Sequence, residues 1–327
     1  MDEGAINHAP TEHQYMDEGV INHAPTEHHH MDGILNIHKP TGMTSHDVVA
    51  RVRKLLKQKR VGHAGTLDPA ASGVLPICVG QATRVAEYLS ESGKAYQATI
   101  VFGTITDTYD SEGTVIRTTS TDDLTLSHIQ SLLPTFLGDQ PQVPPRYSAI
   151  KLQGQPAYKR TRAGEAITME ARPVTIYRLE IIDWQTPMLT LAIECSKGTY
   201  IRSLAYDLGE QSGYGAYLQA LVRTRSGPFT LTESITLEQL GEAAAQGPIE
   251  QFLYPADKVL EQYPALFLDE AVGERVRHGN AFQHEQQPVN AVDKQQIARV
   301  YDHQGRFLAI ASWDEQQKMW QPAKVFL

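Results

Sequence analysis

The sequence predicts an α+β chain, and three observations carry that reading. Strand-like and helix-like runs interleave along the chain instead of separating into blocks. Hydrophobic residues make up 41% of the 327 residues, enough for a sizeable core in one large domain plus a smaller one. One glycine-framed loop, within residues 61–84, presents a lone acid: Asp68 sits among Gly62, Gly65 and Gly73, with Pro69 behind it and His63 and Thr66 close by. Glycine admits backbone shapes that other residues resist and proline fixes φ, so such a loop holds an acid at a defined place. Taken alone, Leu67-Asp68-Pro69 is more often an ordinary turn.

In chain order, residues 1–30 form a tandem fifteen-residue repeat beginning at Met1 and Met16 and ending in His28-His29-His30. We read this as a duplicated or appended leader, disordered, with folded protein from Met31. Gly33–Ile37 is a first strand. A Pro/Gly-punctuated turn leads to a helix over His46–Lys57, with Ser45 as its N-cap. Val74–Val79 is a buried strand that anchors the Asp68 loop, and Gln81–Ser90 is a helix. Lys94–Gly103 alternates Tyr96, Ala98, Ile100 and Phe102 on one face, the signature of a strand. An acidic turn over 106–113 follows; its spacing misses the EF-hand pattern, so a solvated turn is the default. His128–Leu137 is a helix and Gln140–Tyr147 an extended, proline-rich surface loop. Ala157–Ala163 is a short basic helix, and Arg172–Trp184 and Met188–Cys195 are paired strands. Ser196-Lys197-Gly198-Thr199 lacks the phosphate-loop spacing, which excludes a P-loop NTPase; a helix starts at Thr199 and carries Arg202 on its first turn. Ala216–Phe229 is apolar and then basic, with Leu221 on an apolar helix, and Leu237–Ala245 is a further helix. A boundary falls near Gly247–Asp257. Beyond it a helix over Asp269–His278 and strands at Ala298–Tyr301, Phe307–Ser312 and Ala323–Phe326 make a small β-rich module.

Composition narrows the function classes. No run approaches the roughly 18 apolar residues that span a membrane, and the acidic, polar start is no secretory signal. Cys78 and Cys195 sit in apolar strands and make neither a disulfide framework nor a four-ligand zinc site, so a reduced cytoplasmic setting is expected. Of the net charge of −9, six charges belong to residues 1–30, which hold no Lys or Arg. Residues 51–60 hold only positive charges, and Arg146, Lys151, Lys159, Arg160 and Arg162 form a second group. Either group serves as a solvated face or as a contact for phosphates, since phosphate binding needs local positive surface and not a basic chain.

Three features then combine: the carboxylate of Asp68, an aromatic at a strand start (Tyr96), and a guanidinium at a helix start (Arg202). A carboxylate paired with an arginine stays ionised and suits nucleophilic or electrostatic work. An aromatic face suits stacking on a base, worth about 1–3 kcal/mol. The residues thus describe a site for a nucleobase or sugar with basic flanks for phosphates.

At these residues the sequence resembles the TruB family of tRNA pseudouridine synthases. The resemblance rests on six stretches in family order: Lys39-Pro40-x-Gly42 with Ser45; Gly62-His63-x-Gly65-Thr66-Leu67-Asp68-Pro69; Lys94-x-Tyr96; Thr106-Asp107-Thr108-x-Asp110; Ser196 through Arg202; and Leu221 through Gly227. They span about Met31 to Phe229, and the tail more loosely resembles a PUA-type RNA-binding β-barrel. The resemblance implies a catalytic domain over 31–250 built around a mixed, curved sheet, with a PUA-like module over 251–327. It implies isomerisation of uridine 55 in the T-loop of tRNA, with no cofactor or metal and no obligate protein partner, by a monomer that grips the T-arm and elbow. Asp68 matches the catalytic aspartate, Tyr96 the tyrosine stacked on the target base, and Arg202 the arginine paired with the aspartate. Asp110 matches an acid supporting that pair, Leu221 an apolar pocket residue, and His63 the histidine that fills the gap left by the flipped base. Lys39, Gly65 and Thr66 fall within the matched motifs as substrate-binding residues. Competing readings are a non-catalytic RNA-folding protein using the same cleft and the catalytic subunit of a guide-RNA complex; the absence of long basic tails disfavours the second.

Overall fold

The computed structural model describes residues 31–148, 150–152, 154–163, 165, 167–247, 249–286 and 296–326. The expectation for the leader, and the side chains of Lys151, Lys159 and Arg162 in the second basic group, lie outside the described residues.

A ten-stranded mixed sheet is the frame. Its main path runs Leu253–Tyr254, Gly33–Lys39, Ser72–Val79, Ala216–Ser226, Lys94–Phe102, Met188–Cys195, Arg172–Gln185 and Gly138–Gln142. Val61–His63 and Phe229–Thr230 pair off that path. All these pairings are antiparallel except one: Ser72–Val79 meets Ala216–Ser226 in parallel at Ser72↔Val222 and Gly73↔Arg223. This junction joins a meander of long strands to the strands that carry the Asp68 loop.

The first strand and Ser72–Val79 are apolar on both faces because both faces are covered. On one side Leu35, Ile37, Leu75 and Ile77 pack under Val48, Val52 and Leu56 of the helix Ser45–Leu56. On the other side Ile34, Val74 and Cys78 pack with Val85, Leu89 and Phe229. That second cluster also takes in Val259, Ile310 and Phe326, so the C-terminal strands share its core. Lys324 adds contacts there, over the Tyr88 ring and to Glu87 and the Arg84 carbonyl. The C-terminal region itself is a four-stranded sheet of Ala265–Phe267, Ile297–Tyr301, Phe307–Asp314 and Met319–Val325, with the helix Glu270–Arg277 against it.

Several local expectations are corrected. The N-cap of the first helix is Thr44, not Ser45: Thr44 Oγ1 accepts from the Asp47 amide at 3.1 Å, and Asp47 returns a bond to the Thr44 amide at 2.8 Å. This reciprocal capping box satisfies two orphan donors, while Ser45 is buried and turned elsewhere. Leu221 lies on a strand, Ala216–Ser226, and not on a helix. Two register shifts, at Leu218/Ala220 and Arg223/Arg225, break its two-residue alternation and disguise it. The segment after Val79 is a 3-10 turn over Gly80–Val85 followed by a short helix Ala86–Glu91. Gly138–Gln142 is an edge strand bonded to Arg172–Ile176, where the edge tolerates Pro141. The basic residues Arg51, Lys54, Lys57, Lys59 and Arg60 are exposed.

Candidate active site

The Asp68 loop joins Val61–His63 to Ser72–Val79 and is tied down along its length. The Ala64 amide donates to Pro76 at 3.0 Å. Ser45 Oγ accepts from the Leu67 amide at 3.0 Å and donates to the Leu67 carbonyl at 3.2 Å. The Pro69 carbonyl accepts from the Gly42 amide at 2.8 Å and from Lys39 Nζ at 3.3 Å. Gly73, at φ +105°, lies so close to the facing strand that a Cβ there would stand 2.2 Å from the Arg223 carbonyl oxygen. With its backbone committed, the loop leaves the Asp68 side chain 47% exposed.

Arg202 meets it from the second residue of the helix Ile201–Ser212. A cation at a helix N-terminus opposes the helix dipole, and here two carboxylates offset that. Nη2 lies 2.9 Å from Asp68 Oδ2 and Nη1 lies 3.2 Å from Asp110 Oδ2. Carbonyls of Thr108 and Tyr147 take further guanidinium bonds. Asp110 is buried and also accepts from Thr108 Oγ1 at 2.5 Å and the Glu112 amide at 3.1 Å. Arg202 is therefore clamped from behind by Asp110 and holds Asp68 in front. Gln142 fixes the start of this helix, accepting from the Tyr200 amide at 2.7 Å and donating to its carbonyl at 3.1 Å.

A cavity of about 280 Å³ opens beside the pair. Asp68, Tyr96, Arg202, Leu221, Gly65 and Thr66 all line it. Tyr96 faces Arg223 in the sheet register and is 8% exposed. Burial, only partly offset by the Arg223 charge, pushes its phenol up to about 12. Lys94 and Arg223 also line the cavity; the sequence reading held both within matched motifs but gave neither a role. Arg223 is 1% exposed and donates to the Val74 carbonyl at 2.7 Å and the Gly65 carbonyl at 2.9 Å. Lys94 donates to the carbonyls of Ser90 and Ser92, and burial, then the Arg223 charge, pulls its ammonium down to about 8. Leu221 and Arg223 are two residues apart, so strand alternation would have put both on one face, had the strand been legible.

Other expected residues lie outside the cavity. Asp110 sits behind Arg202, lining a small cleft with Asp68 and Leu221. Lys39 is fully buried beneath the loop, its ammonium on the carbonyls of Pro40, Met43 and Pro69; burial lowers it to about 8. His63 is on the short strand, its ring edge-on to His46 at 5.3 Å. Its Nδ1 is buried without a hydrogen-bond partner, and burial lowers its pKa. In the acidic turn Asp107 accepts from the Thr114 amide at 2.8 Å and Asp110 serves Arg202. Both are occupied by the turn and the guanidinium.

Known proteins share the sequence and the fold of this chain. The model of the TruB family pseudouridylate synthase N-terminal domain matches residues 53–201, and that of the tRNA pseudouridylate synthase B C-terminal domain matches 202–261. The chain is 43% identical over 281 residues to tRNA pseudouridine synthase B of Pseudomonas putida, covering 84% of this chain and 89% of that protein. It is 43% identical over 286 residues to the protein of that name from Dehalococcoides mccartyi, covering 88% and 93%. Among solved structures, one chain of an H/ACA RNP bound to a substrate RNA containing 2'-deoxyuridine superposes with a TM-score of 0.69 at 25% identity, covering 93% of this chain and 88% of that one. A chain of a Cbf5-Nop10-Gar1 complex gives 0.70 at 26%, with the same coverage. With two family models matching residues 53–261 and relatives 43% identical over most of its length, this chain belongs to the TruB family of pseudouridylate synthases.

Proposed function

We propose that this chain isomerises uridine to pseudouridine in tRNA, at position 55 of the T-loop, acting on a nucleotide flipped into the cavity beside Asp68. The observation that carries the proposal is the Asp68–Arg202–Asp110 row, in which one carboxylate is left half-exposed at the cavity while the other is buried behind the guanidinium. In this reading the N1–C1′ bond breaks, the base turns in place, and a C5–C1′ bond forms as C5 loses a proton and N1 gains one. Asp68 is the group that engages the nucleotide covalently or electrostatically, and Arg202 fixes its direction. Tyr96, protonated at neutral pH, gives the ring a neutral face to stack on. Leu221 closes the apolar side, and Gly65 and Thr66 line the approach.

Flipping a loop base costs only a few kcal/mol, and His63 serves as the residue that fills the gap. Lys39 acts through the loop it props, setting the height of Asp68. Residues 31–250 form the catalytic domain and 251–327 a PUA-like β-barrel that binds RNA beyond the target loop. The exposed cations of residues 51–60 contact phosphates of the T-arm and elbow. Neutralising Lys54 and Lys57 together should then flatten the plot of log affinity against log salt by about 2; an unchanged slope returns that helix to a solvated face.

The direct test uses the purified chain alone and a tRNA transcript tritiated at uracil C5. Tritium release by the wild type and none by Asp68→Asn is expected, with release lost when position 55 is cytidine. Tight tRNA binding with no release from either protein would leave an RNA-binding protein of the same fold.

A further inference from the structure

Lys94 and Arg223 differ from Arg202 in one respect. Arg202 has two carboxylates, whereas among the described residues neither Lys94 nor Arg223 forms an ion pair. Both are nevertheless almost fully buried, at 7% and 1% exposure. Carbonyls hold Lys94, and carbonyls and the Tyr96 hydroxyl hold Arg223; a buried cation without a carboxylate is costly, and neutral donors would serve those partners as well. The structure keeps the charges, and it keeps them at the cavity wall.

Their disposition is specific. Lys94 spends two of its three N–H bonds on Ser90 and Ser92 and has one left. Arg223 spends Nε and Nη2, and its Nη1 lies toward Gly65. Gly65, at φ +81°, lies beside both: a Cβ there would touch Arg223 Nη1 and Lys94 Cε at 3.4 Å. Lys94 remains largely protonated at neutral pH even after the lowering that burial causes.

Resting on the isomerase reading above, we infer that Lys94 and Arg223 form an anion hole for the uracil ring, stabilising the negative charge that gathers on its carbonyl oxygens during isomerisation. The charge arises on either route. If the N1–C1′ bond breaks first, its electron pair stays with the ring and spreads onto O2 and O4 while Asp68 faces the electron-deficient C1′. If the Asp68 carboxylate first adds to ring C6, the displaced pair moves onto O4. On both routes the charge is withdrawn when C5 bonds to C1′, the C5 proton leaves and N1 takes one up; on the second, N1–C1′ breaks after the addition, and the C6–Asp68 bond breaks as the C5 proton leaves, which restores the ring double bond and frees the carboxylate. A detached ring held between cations turns without escaping, and fixed donors aimed at transient charge accelerate only the chemical step.

The test is single-turnover loss of the N1-linked nucleoside from a tRNA transcript carrying uridine or 5-fluorouridine at the target, because 5-fluorouridine has no C5 proton to lose and cannot complete the last step; it is read by nucleoside chromatography after digestion, with tRNA affinity measured in parallel. Lys94→Gln keeps amide donors for Ser90 and Ser92 and removes the charge. It should slow conversion of uridine by about 100-fold with Kd unchanged within twofold, and Lys94→Arg should restore most of the rate. Fluorine stabilises the ring anion by itself, so the loss on 5-fluorouridine should be about tenfold smaller. Arg223→Gln, folded by its melting transition, should show the same contrast. Equal losses on the two rings, a loss confined to binding, or a wild-type rate in Lys94→Gln overturns the inference while leaving the isomerase reading intact. A wild type that converts no uridine removes that reading and the inference with it.

Discussion

Asp68 and Asp302 both meet arginines, and they are used in opposite ways. Asp302, in the C-terminal sheet, is 3% exposed and accepts from Arg277 Nη2, Arg306 Nε, and the amides of Gln304 and Arg306, all at 2.8–3.0 Å. Burial would push this carboxyl up, but the Arg306 and Gln304 amides and the Arg306 guanidinium hold it down at about 2. Its acceptor sites are full, and it closes a turn. Asp68 meets one guanidinium, keeps its side chain 47% exposed, and faces a cavity. The number of acceptor sites left open, not the presence of an Asp–Arg pair, separates a reactive carboxylate from a structural one.

Substitution should pull the two apart. Asp68→Asn is expected to lower turnover by about 10⁴-fold or more and leave the urea midpoint nearly unchanged. A loss of stability to match would make Asp68 another closed turn. Arg202→Met should affect both quantities, because it strands the buried Asp110 carboxylate. We expect about 3 kcal/mol of destabilisation by urea unfolding together with at least a hundredfold loss of turnover. Asp302→Asn mirrors Asp68→Asn: about 2–3 kcal/mol lost from stability, with turnover per folded molecule unchanged within twofold below the melting transition.

The smallest effect concerns the buried lysines. Lys39 and Lys94 sit at about 8, lowered chiefly by burial, against a model-compound value of 10.5. Between these values the unfolded chain binds more protons than the folded one, so their contribution to stability grows as pH rises from about 8 towards 10.5. Urea unfolding at pH 7.5 and 9.5 should show a gain of about 1–2 kcal/mol per lysine, with about half of that rise missing in Lys94→Gln. A rise unaltered by that variant would mean that Lys94 carries no such linkage.

Much of the frame was legible because local pattern and tertiary use agree. Tyr96, Ala98, Ile100 and Phe102 alternate, and all four are buried in the core. The loop around Asp68 was legible because its glycines and proline mark a backbone with few options. The helix bearing Arg202 was legible from the residues before it. What stayed hidden depends on partners far away in sequence. Thr44 and Ser45 are adjacent hydroxyls with equal claims to the cap, and Leu67, from another loop, decides which is free. Lys39 reads as a substrate-binding residue of its motif, and its place beneath the loop shows only once Pro69 is folded over it. Arg223 was masked by the two bulges that blur its strand, so the cavity was foreseen with its acid and its aromatic but without its cation wall.

The parallel contact of Gly73 with Arg223 has a consequence for when the site comes into being. The two residues that Arg223 bonds, Val74 and Gly65, precede it by 149 and 158 positions. Closing a loop of that length costs about 4 kcal/mol of chain entropy before any contact repays it. A nascent chain therefore carries Asp68 long before the strand that walls the cavity has been synthesised. The enclosure is complete only once Ala216–Ser226 lies between Ser72–Val79 and Lys94–Phe102. An unfinished chain offers RNA an acid on a loop and nothing to hold a base against it.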